Sequence, residues 1–282
     1  MIKKLLNYLL DIRDRQKMAI ALAKGGAMML ARNIDLRRPS TWEFSGFSQN
    51  GEDGILDVLS RQLLKSNRYF IEIGSSDGVQ NNSSWLVVAE QYDGLMIEGD
   101  PRLVERGERL IVGYSIGVKY LNMFVDSENI QRLKELSRHL NPDIFSLDID
   151  GVDYYIAEEI LKGGFRPKIF AVEYNSVYGQ ERSITVPYRK NFAFSDAHPS
   201  RLYYGVSIAA WRKFFDNHGY RFVTVDRKGV NAFFVDPAAY SLDFLNGLES
   251  LEYAENQFQY RKFGCLSEKQ FDLIKDQEFI EV

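Results

Sequence analysis

From Tyr69 onward the chain alternates short apolar runs with turn-rich, helix-length segments, and that alternation restricts it to a sheet with crossover helices. Seven runs read as strands, over residues 69–73, 94–98, 119–124, 144–148, 169–174, 221–225 and 232–235. The first five are separated by connections long enough for parallel crossovers. The last two are joined only by the stretch from Asp226 to Asn231, which contains Gly229 and suits an antiparallel hairpin. The expected fold is therefore α/β: a Rossmann-like, seven-stranded, mostly parallel sheet ending in an antiparallel hairpin, preceded by an N-terminal helical arm. With 282 residues, 45% hydrophobic and 26% charged, the chain can bury a substantial core, which excludes wholesale disorder and a polytopic membrane protein. Its single cysteine, Cys265, excludes an internal disulfide and a thiolate metal cluster.

Charge divides the chain unevenly. Residues 1–40 hold nine Lys and Arg against three Asp, leaving 26 basic against 36 acidic residues in the remainder. An acidic body argues against a nucleic-acid partner, which needs clustered positive charge over much of one face. The stretch 2–32 lacks Pro and reads helical, with Leu5, Leu9 and Ile12 on one stripe beside Leu6 and Leu10. Gly25 and Gly26 are expected to interrupt it, and Arg37, Arg38 and Pro39 mark a boundary. Asn7 breaks the apolar run from Leu5 to Leu10, and Asp11, Arg13, Asp14 and Arg15 follow it, so an export signal is not expected and a cytoplasmic location is. No segment reaches the roughly 20 apolar residues of a membrane span. The arm then has two readings: a helix packed on its own domain or on a second copy in a homodimer, or a basic helix making peripheral membrane contact through residues 1–38. The expected organisation is a basic arm at 1–40, a catalytic domain at 41–240 and a helical extension at 241–282.

Ligands of such sheets bind beyond the carboxyl ends of the strands. Strand one runs into Glu72-Ile73-Gly74-Ser75-Ser76-Asp77-Gly78, a turn whose two glycines let backbone approach a ligand, without the third glycine of a dinucleotide fingerprint or the lysine of a phosphate loop. Strand two ends in Glu98-Gly99-Asp100-Pro101, about 20 residues after that turn, where a carboxylate can accept two ribose hydroxyls. Asp148, Asp150, Asp153 and Glu173 lie at or just beyond the ends of strands four and five, which such a fold makes neighbours, so their carboxylates come together at one rim.

Several of these segments together resemble the FkbM-type, class I S-adenosylmethionine-dependent methyltransferases. The likeness rests on 47–54 (FSQNGEDG), 70–78, 94–101, 146–155 (SLDIDGVDYY), 171–175 (AVEYN) and 229–235 (GVNAFFV), and covers roughly residues 44–236. The glycine turn departs from the commonest methyltransferase form by carrying Ser75-Ser76-Asp77 where a further glycine is usual. The resemblance implies that Glu72, Gly74, Ser75, Asp77 and Gly78 hold the methionine portion of S-adenosylmethionine, Glu98 and Gly99 the ribose, and Asp126 with Ser127 the adenine edge, while Gln49 and Glu52 close over the donor. It also implies transfer of the methyl group, to a hydroxyl in the reading preferred here.

Two readings of the acid cluster follow. Asp148, Asp150 and Glu173 can hold a divalent cation such as magnesium, which lowers the acceptor hydroxyl's pKa. In the metal-free reading Asp148 binds the donor's ammonium group and Asp150 is the general base. Asp153 reads as a helix cap, and His139 and His218 as structural residues near helix ends. His198, inside the long insertion from Ser176 to Tyr204, is a second candidate base. Tyr178, Tyr188, Tyr203 and Tyr204 in that insertion suit a sugar ring or anchor the loop itself. The expected function is O-methylation of a sugar hydroxyl in a surface polysaccharide or nucleotide-linked sugar. The alternatives are methylation of a small natural product or lipid-linked acceptor, and a noncatalytic interaction module on the same fold.

Overall fold

The computed structural model describes residues 2–282, with side chains from Ile12 onward. A long helix, α1 (Ile2–Ala31), precedes α2 (Glu52–Arg61), and the sheet then begins. Its first half alternates strand and helix: β1 (Tyr69–Ile73), α3 (Ser84–Val88), β2 (Asp93–Glu98), α4 (Pro101–Ile111), β3 (Val118–Asn122), α5 (Ile130–Leu136), β4 (Ile144–Leu147), α6 (Asp153–Lys162) and β5 (Ile169–Glu173). The insertion holds a two-residue strand β6 (Ile184–Thr185) and a short helix α7 (Phe194–Ala197). Next come α8 (Ile208–Asn217), β7 (Arg221–Val225), β8 (Asn231–Val235), α9 (Leu242–Asn246), α10 (Gln257–Phe263), α11 (Ser267–Phe271) and β9 (Ile280–Glu281).

The main sheet has the order β3-β2-β1-β4-β5-β8-β7, parallel from β3 to β5, with β8 antiparallel to both β5 and β7. This is the expected α/β architecture, and the hairpin end is placed by β8 slotting between β5 and β7. Alternation along each strand divides the core into two layers, because successive side chains leave opposite faces. Ile71, Ile73, Leu95, Ile97, Phe145 and Val172 pack on one face, while Phe70, Met96, Ile144, Ile169 and Phe233 pack on the other.

The glycines at 25 and 26 do not interrupt α1, which runs through them. A Cβ on Gly25 would lie 2.5 Å from the Trp85 ring and 2.9 Å from Gly46 Cα, so Gly25 is where the helix touches the body, and that contact offsets the glycine's helix penalty. Met18 and Ala21 are buried on the same face, and Asp14 pairs with Arg106 of α4 at 2.6 and 2.9 Å. From Asp14 onward the arm is thus packed on its own domain. The stripe at Leu5, Leu6, Leu9 and Leu10 lies outside the described side chains. Arg37 and Arg38 pair with Glu249 of the C-terminal extension. That extension is not wholly helical: β9 pairs antiparallel with β6, tying the end of the chain to the insertion. No helix among the described residues is long and apolar enough to cross a membrane.

Candidate functional site

The sheet's order reverses between β1 and β4, and a cavity of about 620 Å³ opens beyond the carboxyl ends of β1 to β4. Of the residues singled out from sequence, Gly74, Glu98, Gly99, Asp126, Asp148 and Asp150 line it. Gly74 has φ +88°, and a Cβ there would lie 1.8 Å from the Asp148 carbonyl oxygen. The turn after β1 and the loop after β4 are therefore in backbone contact, and only glycine permits it. Ser76 and Asp150, both lining the cavity, also have left-handed backbone, with φ of +52° and +51°. Such strain in non-glycine residues concentrates where a site requires a fixed backbone.

Glu98 ends β2 with its carboxylate held by two backbone amides, Ser76 N at 3.0 Å and Asp100 N at 2.9 Å. An ionised carboxylate offers about four lone-pair positions, so acceptor capacity remains for ligand hydroxyls. Asp100 is the N-cap of α4 with Pro101 at the first helical position, and Arg102 beside it lowers its pKa to about 2. Met123, Phe124 and Val125 after β3 form an apolar wall, with Asp126 at its end accepting from Glu128 N at 2.9 Å.

The acid cluster is partly as expected. Asp148, Asp150 and Glu173 each place a carboxylate oxygen within 4.8 Å of the others. Asp153 does not join them: it is buried and accepts from Ile149 N at 3.0 Å and Gly151 N at 2.9 Å, which shapes the loop that presents Asp150. Desolvation pushes Asp148 well above the usual carboxylate range, and the charges of Asp150 and Asp153 push it further. Desolvation raises Asp150 as well. Burial, followed by the Asp148 charge, raises Glu173 strongly. Glu173 Oε2 is buried without a hydrogen-bond donor. Facing two other carboxylates, it is satisfied when one of the three carries a proton or a cation sits among them.

Other expected ligands face inward instead. Glu72 is buried in mid-strand, accepting from Asn82 N at 2.8 Å and from Ser83 Oγ, and its pKa is pushed up to about 7 by burial. It organises the loop behind the cavity and is not among the lining residues. Ser75 Oγ accepts from Ile97 N at 2.8 Å, and Gly78 packs on Ile111. Asp77 pairs with Arg106 at 2.6 Å. Glu52 is buried, bound to Asn50 and to Asn231 at 2.7 Å, so it fastens the 48–52 loop to β8. Gln49 is exposed: its side-chain amide lies 3.4 Å from Gln80, which lines the cavity, and its carbonyl accepts from Lys228 at 2.6 Å. His198 is not among the lining residues, and its Nδ1 lies 2.8 Å from Ser200 Oγ within its own loop. His218 caps α8, with Nδ1 2.8 Å from Phe214 O.

The insertion supplies the outer wall through Tyr188, Arg189, Asn191 and Phe192. Tyr178, Tyr203 and Tyr204 are buried anchors: Tyr178 donates to the Tyr204 carbonyl at 2.8 Å, and Tyr203 donates to that of Glu278. Of the four tyrosines only Tyr188 faces the cavity. Sequence reasoning missed Ser76, Gln80 and Arg189; Ser76 was in view within the glycine turn, whereas nothing local marks the other two.

The fold is similar to that of solved methyltransferases. One is an O-methyltransferase from Bacillus cereus in complex with SAH, at 14% identity over 78% of this chain and 89% of that one, with a TM-score of 0.43. A second is the O-methyltransferase TomG from Streptomyces achromogenes, in complex with SAM, at 17% identity over 75% and 93%, with a TM-score of 0.43. A third is a SAM-dependent methyltransferase from Thiobacillus denitrificans, at 13% identity over 70% of each chain, with a TM-score of 0.39. No protein-family model matches the chain, and no curated protein does.

Proposed function

We propose that this protein is an S-adenosylmethionine-dependent O-methyltransferase of FkbM type acting on a sugar hydroxyl. The observation that carries the reading is Glu98: a carboxylate at the end of β2, fixed by two backbone amides, with lone pairs left over beside an apolar wall. A nucleoside needs that combination, with ribose hydroxyls on the carboxylate and the base against Met123, Phe124 and Val125. When bound, S-adenosylmethionine supplies an electrophilic methyl on a cationic sulfur. The residues present fit it: Glu98 and Gly99 for the ribose, Asp126 for the adenine edge, Gly74 and Ser76 for the approach of the methionine portion, and Asp148 for its ammonium group.

The chain's own task is alignment and proton removal. Asp150, on a fixed left-handed backbone and partly exposed, would take the acceptor hydroxyl's proton as that oxygen displaces the donor's sulfur from the methyl carbon, the sulfur leaving as a neutral thioether. Its raised pKa brings it closer to the optimum for a base near neutral pH. Tyr188 and Phe192 offer aromatic faces to a sugar ring. The orphaned Glu173 Oε2 favours one second reading, a divalent cation held by Asp148, Asp150 and Glu173.

Calorimetric titration with S-adenosylmethionine and S-adenosylhomocysteine tests the donor, with NAD as control. One-site binding of the first two at micromolar or better is expected; binding of NAD alone, or of nothing, overturns the assignment.

A further inference from the structure

Arg189 is the one cation among the described residues that line the cavity, where the other charged groups are the carboxylates of Glu98, Asp100, Asp126, Asp148 and Asp150. It stands in a segment whose other members are committed. The Val186 carbonyl accepts from Tyr155 at 3.2 Å, Tyr188 lies 3.2 Å from Ser127 Oγ and edge-on to Tyr155, and Lys190 pairs with Glu128 at 2.8 Å. Phe192 packs against Gly151, and its amide donates to the Arg189 carbonyl at 3.2 Å, closing a turn in which Asn191 has φ +60°. The backbone at Arg189 is thus fixed on both sides. Its guanidinium, by contrast, has no hydrogen-bond or ion-pair partner among the described residues.

Position gives this cation a role. The inner part of the cavity, from Gly74 through Glu98 to Asp126, is assigned to the donor above, and the outer part, bounded by Asp150, Gly151, Tyr188 and Phe192, remains for the acceptor. A donor carrying a positive sulfur is served by the acidic inner wall, whereas an arginine set outside it attracts the opposite charge. Arginine's planar fork matches a carboxylate or phosphate with two parallel hydrogen bonds. We infer that the acceptor is an anionic sugar, bearing a carboxylate or phosphate, and that Arg189 is the specificity residue that reads that anion while the ring lies against Tyr188 and Phe192. The inference rests on the donor reading for the division of the cavity.

The test uses the full chain loaded with S-adenosylhomocysteine, titrated calorimetrically with methyl β-glucuronide, glucose 6-phosphate and methyl β-glucoside. At least one anionic sugar is expected to bind ten-fold or more tightly than the neutral glucoside, and which one does separates a carboxylate from a phosphate acceptor. Arg189→Ala should weaken that ligand about ten- to a hundred-fold, as loss of a charge-assisted pair does, and Arg189→Lys should restore part of it. S-adenosylhomocysteine affinity, measured on each variant, should stay within about two-fold, since Arg189 lies outside the donor part. Equal binding of neutral and anionic sugars, no binding of either anion at millimolar concentration, or an Arg189→Ala variant that binds the anion as well as the wild type each overturns the inference. Failure of the wild type to bind S-adenosylhomocysteine instead overturns the donor reading.

Discussion

Under the proposed function, Asp150 and Glu173 divide the labour of one cluster. Glu173 is the buried member with an unsatisfied oxygen, whereas Asp150 is the partly exposed one, carried on strained backbone at the cavity wall. A base must be ionised to act, and desolvation raises the pKa of Asp150. The sign is therefore that kcat climbs with pH through a range above the ordinary carboxylate value near 4 and then levels. Asp150→Asn should lower kcat by about 100-fold and flatten that rise, with S-adenosylhomocysteine affinity little changed; steady-state rates across pH 4 to 9 check this. The same assay decides the metal. Treatment with EDTA is expected to leave turnover intact, and a loss that magnesium restores would transfer the cluster from proton removal to cation binding.

At the scale of elements, the arm and the glycine turn after β1 meet in one side chain. Arg106 of α4 grips Asp14 of α1 with two nitrogens and Asp77 of the glycine turn with the third, and Asp14 is only 2% exposed. Removing that guanidinium takes the cation from Asp77 and leaves the deeply buried Asp14 facing Arg13 Nε at 3.7 Å, at a cost of about 3 kcal/mol. Arg106→Gln is thus expected to lower the urea midpoint and also to weaken S-adenosylhomocysteine binding, because the 74–78 turn loses its tether. Asp14→Asn should cost less stability and leave binding near wild type. If the two variants affect binding alike, the tether to Asp77 is not what orders the turn.

These elements also show what a sequence discloses. The seven strands of the main sheet were legible to within one or two residues, since each is a short apolar run bounded by a polar turn, whereas the two-residue strands β6 and β9 were not. For the same reason Glu98, Asp126, Asp148 and Asp150 were legible as residues of the cavity wall: they sit at or just past strand ends, which this topology turns toward one rim. Glu72 was not, although alternation puts it on the face of Phe70, inside the second core layer. Glu52, Asp77 and Gly25 were misread because their roles lie in partners distant in sequence, Asn231, Arg106 and Trp85. The insertion's tyrosines could not be sorted for a related reason: only the returning C-terminal segment shows that Tyr203 is an anchor.

For the whole molecule, the number of buried acids sets a pH dependence of stability. Burial pushes Asp53 and Glu72 up to about 7 and Asp153 to about 6, and it raises Asp148, Glu173 and Asp226 as well. Three backbone amides, from Gly46, Phe47 and Ser48, donate to Asp53 at 2.7 to 3.0 Å and oppose its shift, so the carboxylates around the cavity carry the argument best. An acid whose pKa is higher folded than unfolded binds more protons in the native state. Its stabilising contribution is complete below the unfolded value near 4 and is lost as pH rises through the folded value. The chain should accordingly lose on the order of a few kcal/mol between pH 5 and 8, the reverse of a protein whose carboxylates are held by salt bridges. Reversible urea unfolding at pH 5.5 and 8.0 measures it, and Glu173→Gln should reduce the difference by supplying a neutral side chain at the crowded site. A midpoint that rises from pH 5.5 to 8.0 in the wild type would mean that backbone donors, not desolvation, govern these carboxylates.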